Sequence, residues 1–444
     1  MDGCMAIGQT HSSIQMLGIK CLVIEVSLVV PKTYDCIILD GAAIVHFLSP
    51  ESKILSFQEY TQKVFIPYLE DYLKICERID VVFDQYFEDS LKNAVREKRG
   101  SGIRFKVEPK VKVPKKWHDF LLVNENKVEL FLFLAKEIEK HPFPEEKEVN
   151  VTMKSEVLSI NSNFKQTCSH EEADSRMFIH VMHALEEGNR TFMIRTVDTD
   201  VIVILLGKFN DVFSRYPDFD VWIKFGVGKS MQHIHLKTVV NKIGLRISRG
   251  LPLRISRGLP FFHALTGCDT TSSFKGKGKK SAWQTWKSFQ AATPIFEELS
   301  QNPFYILGED NPSFQILEKF IVRMYSKNVD TASVDEARKL IFAHNQNMEK
   351  IPPTRDALLQ HIRRAIYQTG NFNILKFRTG FSFMQSIKIW LFLIIINFIP
   401  KVFGCCHLQN QIYHHPQILA GNMKMESGYP IGLLSQRLLS AHVS

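Results

Sequence analysis

The sequence predicts an α/β fold with a mostly parallel central sheet flanked by helices. Three observations carry this. Short apolar runs, Cys36–Leu39 (CIIL), Ile79–Phe83 (IDVVF) and Phe192–Val197, each stop at or just before an aspartate. Between them lie longer segments with apolar residues at three-to-four spacing, the period of an amphipathic helix. Strands alternating with helices favour a parallel sheet, because each helix returns the chain to the same edge.

Element by element, Cys36–Leu39 reads as a buried strand ending at Asp40, followed by a helix-like GAAIVHFL. Phe57, Tyr60, Val64, Phe65, Tyr68, Leu69, Tyr72, Leu73 and Cys76 form one helical face, and Pro67 within it predicts a kink or break. Ile79–Phe83 is the next strand and ends at Asp84. Gly100, Gly102, Pro109 and Pro114 argue against one continuous helix in the basic stretch that follows. Asn126–Ile138 is apolar with helical period. Ser169-x-x-Glu172 has capping-box spacing and opens a helix whose face is Ala173, Met177, Val181, Ala184 and Leu185, with Gly188 ending it. Phe192–Val197 runs into Asp198-Thr-Asp200, and Val201–Leu206 is a further apolar run. Val221–Phe225 and Met231–Leu236 flank a Gly-Lys-Ser turn as a hairpin. Leu245–Pro252 (LRISRGLP) recurs at once as Leu253–Pro260, which reads as a local duplication lengthening a loop and carrying four arginines.

A chain of 444 residues with 45% hydrophobic and 23% charged residues can bury a sizeable core in two or three structural units. The net charge of +9 is local: Lys92–Lys116 holds ten basic residues and two acids, so the rest of the chain is almost neutral. A concentrated basic stretch suits a nucleic-acid partner. Eight cysteines without a CxxC pair or regular spacing point to a reducing, intracellular compartment rather than a disulfide framework. Cys405-Cys406-His407 with His414 and His415 is poor zinc-chelating geometry. No signal peptide is read at the N-terminus. Ile389–Ile399 is strongly apolar but eleven residues long, short of the roughly 20 a membrane span needs, so a membrane anchor is not expected.

Asp40, Asp84, Asp198 and Asp200 all follow strand ends. Ligands of open α/β sheets bind outside the carboxyl ends of the strands, so these carboxylates are candidates for one crevice. An aspartate after a strand is, taken singly, an ordinary turn residue. A cluster is different, because uncompensated carboxylates about 4 Å apart repel by roughly 4 kcal/mol per pair at an effective dielectric of 20. Such a set suits hard cations with oxygen ligands, Mg²⁺ or Mn²⁺. Glu172 and Asp174 open a helix, where acids also serve as caps. The segment Leu265–Ala282 is the most specific in the chain: Asp269 is followed seven residues on by Gly276-Lys277-Gly278, then Lys279, Lys280 and a predicted helix. Close glycines let backbone N–H groups approach a phosphate, and the following helix N-terminus favours anions.

On these residues the chain resembles the flap-endonuclease (XPG-like) nucleases of the PIN-like superfamily, closest to their uncharacterised PIN-like relatives. ALTGCDTTSSFKGKGKKSA is similar to the family segment in which a last metal-site aspartate leads into a helix-hairpin-helix. ILDGAA, VVFD, EEADSR and VDTD fall in the family's order, from about Asp35 to Ala282. The resemblance implies a PIN-like/5′-nuclease fold and a two-ion Mg²⁺ or Mn²⁺ site made by Asp40, Asp84, Glu172, Asp174, Asp198, Asp200 and Asp269. Glu171 is the register alternative to Glu172. It further implies a basic arch in which Lys92 and Arg99 contact the phosphate, with Arg96, Lys98 and Arg104 binding nucleic acid nearby. Lys275, Gly276, Lys277, Gly278, Lys279 and Lys280 would form a backbone-gripping hairpin, with K⁺ as its monovalent cation. Branched DNA or RNA, or a single-strand/duplex junction, would be the partner, and the nucleus the location.

The organisation expected is an N-terminal extension (1–33), a nuclease core (34–260) with the arch-like segment (92–116) and duplicated loop (245–260), a helix-hairpin-helix-type segment with C-terminal helices (261–368), and a tail (369–444). The tail lies outside the resemblance, and the 39 residues before Asp40 depart from family members, which start almost at the first strand. Two other readings compete: a catalytically inactive nucleic-acid-binding relative, and a membrane-associated protein held by Ile389–Ile399. The complete acidic set favours the nuclease.

Overall fold

The computed structural model describes residues 30–86, 102–165, 172–247, 252–302, 304–345 and 351–371. Ser169, Glu171, the basic residues Lys92, Arg96, Lys98 and Arg99, the apolar run Ile389–Ile399 and the Cys/His residues at 405–407 and 414–415 lie outside those residues.

Seven strands form one sheet in the order β4-β3-β2-β1-β5-β6-β7. They are β1 (Tyr34–Asp40), β2 (Cys76–Val82), β3 (Glu148–Met153), β4 (Glu156–Ile160), β5 (Thr191–Thr196), β6 (Asp220–Phe225) and β7 (Gln232–His235). The five inner strands are parallel, and the edge strands β4 and β7 join antiparallel. The chain builds outward from β1 to β3 and then returns to build from β5 to β7. Strand order therefore reverses between β1 and β5, and a doubly wound sheet opens its ligand crevice at such a point.

Alternate residues of β1 explain why it reads as a continuous apolar run. Cys36 and Ile38 face one core, Ile37 and Leu39 the other, and all four are fully buried. Parallel strands covered on both faces lose the inside-outside alternation. Burial of each Ile or Leu here stabilises the fold by roughly 1.5–3 kcal/mol relative to exposure.

One face is covered by the helices before β3: α1 (Gly41–Phe47), α2 (Phe57–Tyr60), α3 (Ile66–Leu73), α4 (Trp117–Leu122) and α5 (Asn124–Lys140). At Pro67 the regular α-helix is interrupted, as expected, although the chain stays helical. The proline occupies the first turn of α3, immediately after a π-helical turn (Thr61–Phe65), so α2 and α3 continue one another around the missing N–H. Residues 102–116 hold no helix, as the glycines and prolines require. They run back along the start of α2, with Phe57 N donating to Val111 O (3.1 Å) and Gln58 N to Pro109 O (3.0 Å).

The other face carries α6 (Ala173–Glu186), α7 (Thr199–Phe213), α8 (Leu236–Ile247) and α9 (Pro252–Leu265). Behind α9 pack α10 (Lys279–Ser288), α11 (Ala292–Gln301), α12 (Pro312–Tyr325), α13 (Val334–Asn345) and α14 (Arg355–Asn371). The apolar run Val201–Leu206 is the buried middle of α7. The second copy of LRISRGLP is not loop but the body of α9. Its Ile255 and Leu259, one helical turn apart, are buried, and the bare Gly207 of α7 receives the ring of Pro260. Arg254 and Arg257 are held by Glu297 and Asp211 rather than turned to the strand ends. Among the described residues, no helix is long and apolar enough to cross a membrane.

Candidate functional site

Each strand that ends at the crevice delivers a carboxylate which also starts a helix. Asp40 closes β1 and caps α1, its Oδ1 accepting from Ala43 N (2.9 Å). Its Oδ2 accepts from the hydroxyl of Thr196 at the end of β5 (2.9 Å). Gly41 is required here: a Cβ would stand 2.4 Å from the ring of Phe83, which fills that space and stacks on Phe131.

Asp84 follows β2 and acts across the chain. Its Oδ1 accepts from Ala173 N, the first amide of α6 (2.8 Å), and its Oδ2 from the Tyr86 hydroxyl (3.4 Å). The capping box expected from Ser169 lies outside the described residues on the serine side. Glu172 stands at the N-cap position rather than one turn inside, and the cap bond comes from a residue 89 positions away. Asp174 lies in the first turn of α6, its Oδ1 accepting from Ser175 N (2.6 Å). Asp198 caps α7 by accepting from Asp200 N (2.8 Å), while its own N–H donates to Thr196 Oγ1 (3.0 Å). Thr196 thus ties Asp40 to Asp198, a role with no signal in the sequence beyond its place at a strand end.

Six of the seven acids, Asp40, Asp84, Glu172, Asp174, Asp198 and Asp269, line one cavity of about 280 Å³. Asp200 does not. It faces α9, where His263 Nε2 lies 2.8 Å from its Oδ1. Burial, then the charges of Asp200, Asp174 and Asp269, push Asp198 well above the usual carboxylate range. Burial chiefly, and the charge of Asp84, push Asp40 up to about 6 despite its two hydrogen bonds. Of the six lining acids, Asp40, Asp84, Asp174 and Asp198 turn oxygens to amides and hydroxyls. As placed, no three His, Cys, Asp or Glu side chains among the described residues are disposed to hold a metal ion together.

Two groups that pattern reading missed fix the frame. Arg176, 1% exposed, reaches from α6 to the carbonyls of Phe83 (3.0 Å) and Lys154, pinning the residue before Asp84. Deeper on the same helix, His180 Nδ1 meets Asp80 Oδ2 (2.7 Å), and Asp80 also accepts two bonds from Arg78 and one from Asn150. All four side chains are buried. The Arg78 guanidinium offsets the burial of Asp80 and holds its carboxyl well below the usual range. For His180 burial outweighs the attraction of Asp80, and the imidazole is held neutral, below its ordinary pKa.

The glycine segment forms a tight turn, and one of its lysines is buried. Gly276 adopts φ +69°, and Phe274 and Lys277 pair across the turn. Lys275, Gly276, Gly278 and Lys280 are exposed, and Gly278 caps α10. Lys277 donates to Tyr325 O (3.3 Å). Lys279 points inward: it is 7% exposed and donates to the carbonyls of His263 and Gly267 and to Thr266 Oγ1. Burial brings its pKa down to about 8. It closes the end of α9 and is no surface contact. Arg104, assigned to nucleic acid, pairs with Glu129 (3.1 Å) at the surface.

No protein-family model matches the chain, and no curated protein matches it. Among solved structures, the chain is similar to the catalytic core of Rad2 in complex with DNA substrate (complex II). The two are 12% identical over 81% of this chain and 98% of that one, with a TM-score of 0.32. The chemistry of this chain rests on its own residues.

Proposed function

We propose that this protein is a divalent-metal-dependent nuclease hydrolysing phosphodiester bonds in DNA or RNA, with branched or single-strand/duplex junctions as substrate. One observation carries the reading: six carboxylates from β1, β2, α6, α7 and the loop after α9 line a single cavity at the reversal point of a parallel sheet. The proposed donors suit the ions in kind, though the side chains would have to turn inward to ligate them. It is made of carboxylate oxygens alone, which suit Mg²⁺ or Mn²⁺ rather than zinc. Asp40, Asp84, Glu172 and Asp174 would hold one ion. Asp174, Asp198 and Asp200 would hold the other, supported by Asp269, once Asp200 turns from His263. When bound, such a pair supplies an activated water and neutralises the leaving oxygen.

The protein's own contribution is placement. Arg176 and Thr196 fix the strand ends, and Asp84 fixes the first turn of α6. Lys92 and Arg99 would neutralise phosphate charge, and Lys275, Lys280 and the hairpin amides would grip the backbone, reading shape rather than sequence. Free Cys36, Cys76 and Cys268 accord with a reducing compartment, the nucleus.

The test is cleavage of labelled flap, nicked duplex and single-stranded RNA with Mg²⁺, Mn²⁺ or EDTA. Asp198→Ala is expected to abolish metal-dependent cleavage while the protein stays folded, and an unchanged rate sinks the mechanism. The contact of Asp200 with His263 favours a second reading, an inactive nucleic-acid binder. Binding without metal-dependent cleavage by the native chain would establish that one instead.

A further inference from the structure

We infer that Lys127 is a phosphate-binding residue of the acid cavity, delivered by the folded body of the protein and not by the basic stretch after Asp84. The inference rests on the nuclease reading and adds a residue to it. Among the described residues lining the cavity, Lys127 is the one lysine or arginine beside six carboxylates. Its Nζ sits 5.1 Å from the ring centroid of Tyr86, and the hydroxyl of that ring donates to Asp84 Oδ2 (3.4 Å). An aromatic face attracts an ammonium and limits where it can go. Cation, ring and carboxylate thus form one row along the cavity wall.

The helix under Lys127 is fixed. Its neighbour Asn126 is fully buried, accepts from Phe105 N (2.8 Å) and donates to Ile103 O (3.0 Å) and Phe120 O (3.1 Å). Phe131, one turn on and so on the same face, stacks on Phe83 with centroids 4.5 Å apart, and Phe83 precedes Asp84. The helix that carries Lys127 is therefore set against the same strand end that sets Asp84, and Tyr86 guides the ammonium. A phosphodiester entering the cavity would meet metal-bound carboxylates on one side and this cation on the other. One positive charge is too little to balance six carboxylates, but it suits a single non-bridging phosphate oxygen, where charge grows as the bond breaks.

The experiment uses the full chain and a labelled flap substrate under single-turnover conditions at saturating Mn²⁺. Lys127→Ala is expected to slow cleavage by about 10²-fold with the Mn²⁺ half-saturation and melting temperature unchanged, and Lys127→Arg to recover part of the rate. Lys127→Met keeps the aliphatic stem over Tyr86 and answers for any folding defect of the alanine variant; it should be as slow. Unaltered cleavage by Lys127→Met overturns the proposal. So does a shift in Mn²⁺ half-saturation with full rate restored at high metal, which would mark Lys127 as charge balance alone. If the native chain cuts none of the substrates while Asp198→Ala behaves identically, the nuclease reading itself has failed, and this assignment with it.

Discussion

Asp40→Asn separates what the carboxylate does for the fold from what it does for a ligand. In the folded protein burial pushes Asp40 up to about 6, against about 3.9 in an unfolded chain. Between those values the folded state holds a proton that the unfolded state has released, so stability falls as pH rises from about 4 to about 6 and is level beyond. Two units correspond to about 3 kcal/mol at roughly 1.4 kcal/mol per unit. Asparagine keeps an oxygen for Ala43 N and has nothing to ionise. In EDTA at pH 7.5 the variant should therefore resist urea better than the native chain, by up to about 3 kcal/mol. At pH 4.5 most of the difference should be gone. Adding Mn²⁺ should reverse the order: at about 1,000 times its dissociation constant it would stabilise the native chain by about 4.1 kcal/mol, and the variant by much less. Urea midpoints at both pH values, with and without metal, read all of this. A variant less stable than the native chain at both pH values would refute the reasoning, because Asp40 would then be a helix cap carrying no electrostatic penalty.

Two further outcomes follow from the buried frame. Arg176→Lys offers one ammonium to two carbonyls; it should lower Mn²⁺ affinity about 10–100-fold, measured by titration, and destabilise the fold by about 1–3 kcal/mol. Because His180 is held neutral below its usual pKa, folding stability should be full above about pH 6.5 and fall as pH drops below it. His180→Gln, with no proton to take up, should flatten that fall in urea midpoints between pH 7 and 5, and an unaltered slope would clear His180 of the effect.

The sheet was legible wherever a strand is buried on both faces. CIIL, IDVVF and the run from Phe192 are mostly apolar because helices cover them above and below, with the buried Asp80 and Arg195 held by hydrogen bonds, and each stops at an acid because the chain leaves the core there. Val201–Leu206 was visible as apolar but not as helix. It is packed on every side between the sheet and α9, so no helical period survives. What failed depended on contacts distant in sequence. Glu172 reads as the acid one turn inside a cap, yet it stands at the N-cap position and Asp84 accepts the first amide of α6. Lys279 sits in a lysine-rich turn, and only the carbonyls ending α9 turn it inward. The duplicated octapeptide looked like loop because of its glycines and prolines. Its Ile255 and Leu259 nevertheless fall one turn apart against the core, and Pro260 packs on a glycine of α7.

Helix capping explains the position of the acids and not their company. Asp40, Asp84 and Asp198 each accept an amide at the start of a different helix, α1, α6 and α7. Each such placement is favoured by about 0.3–1 kcal/mol, so three together contribute at most about 3 kcal/mol. A single uncompensated carboxylate pair about 4 Å apart would oppose this with roughly 4 kcal/mol at an effective dielectric of 20. Six carboxylates line one cavity of about 280 Å³, and burial first, then the charges of their neighbours, raise Asp40 and Asp198 despite the caps. Serine, threonine or asparagine would cap those helices equally well without that penalty. Under the proposed function a divalent cation would make carboxylate the better choice at all of these positions at once, and that preference, not the likeness of any single strand end to a motif, is the physical ground on which the proposal rests.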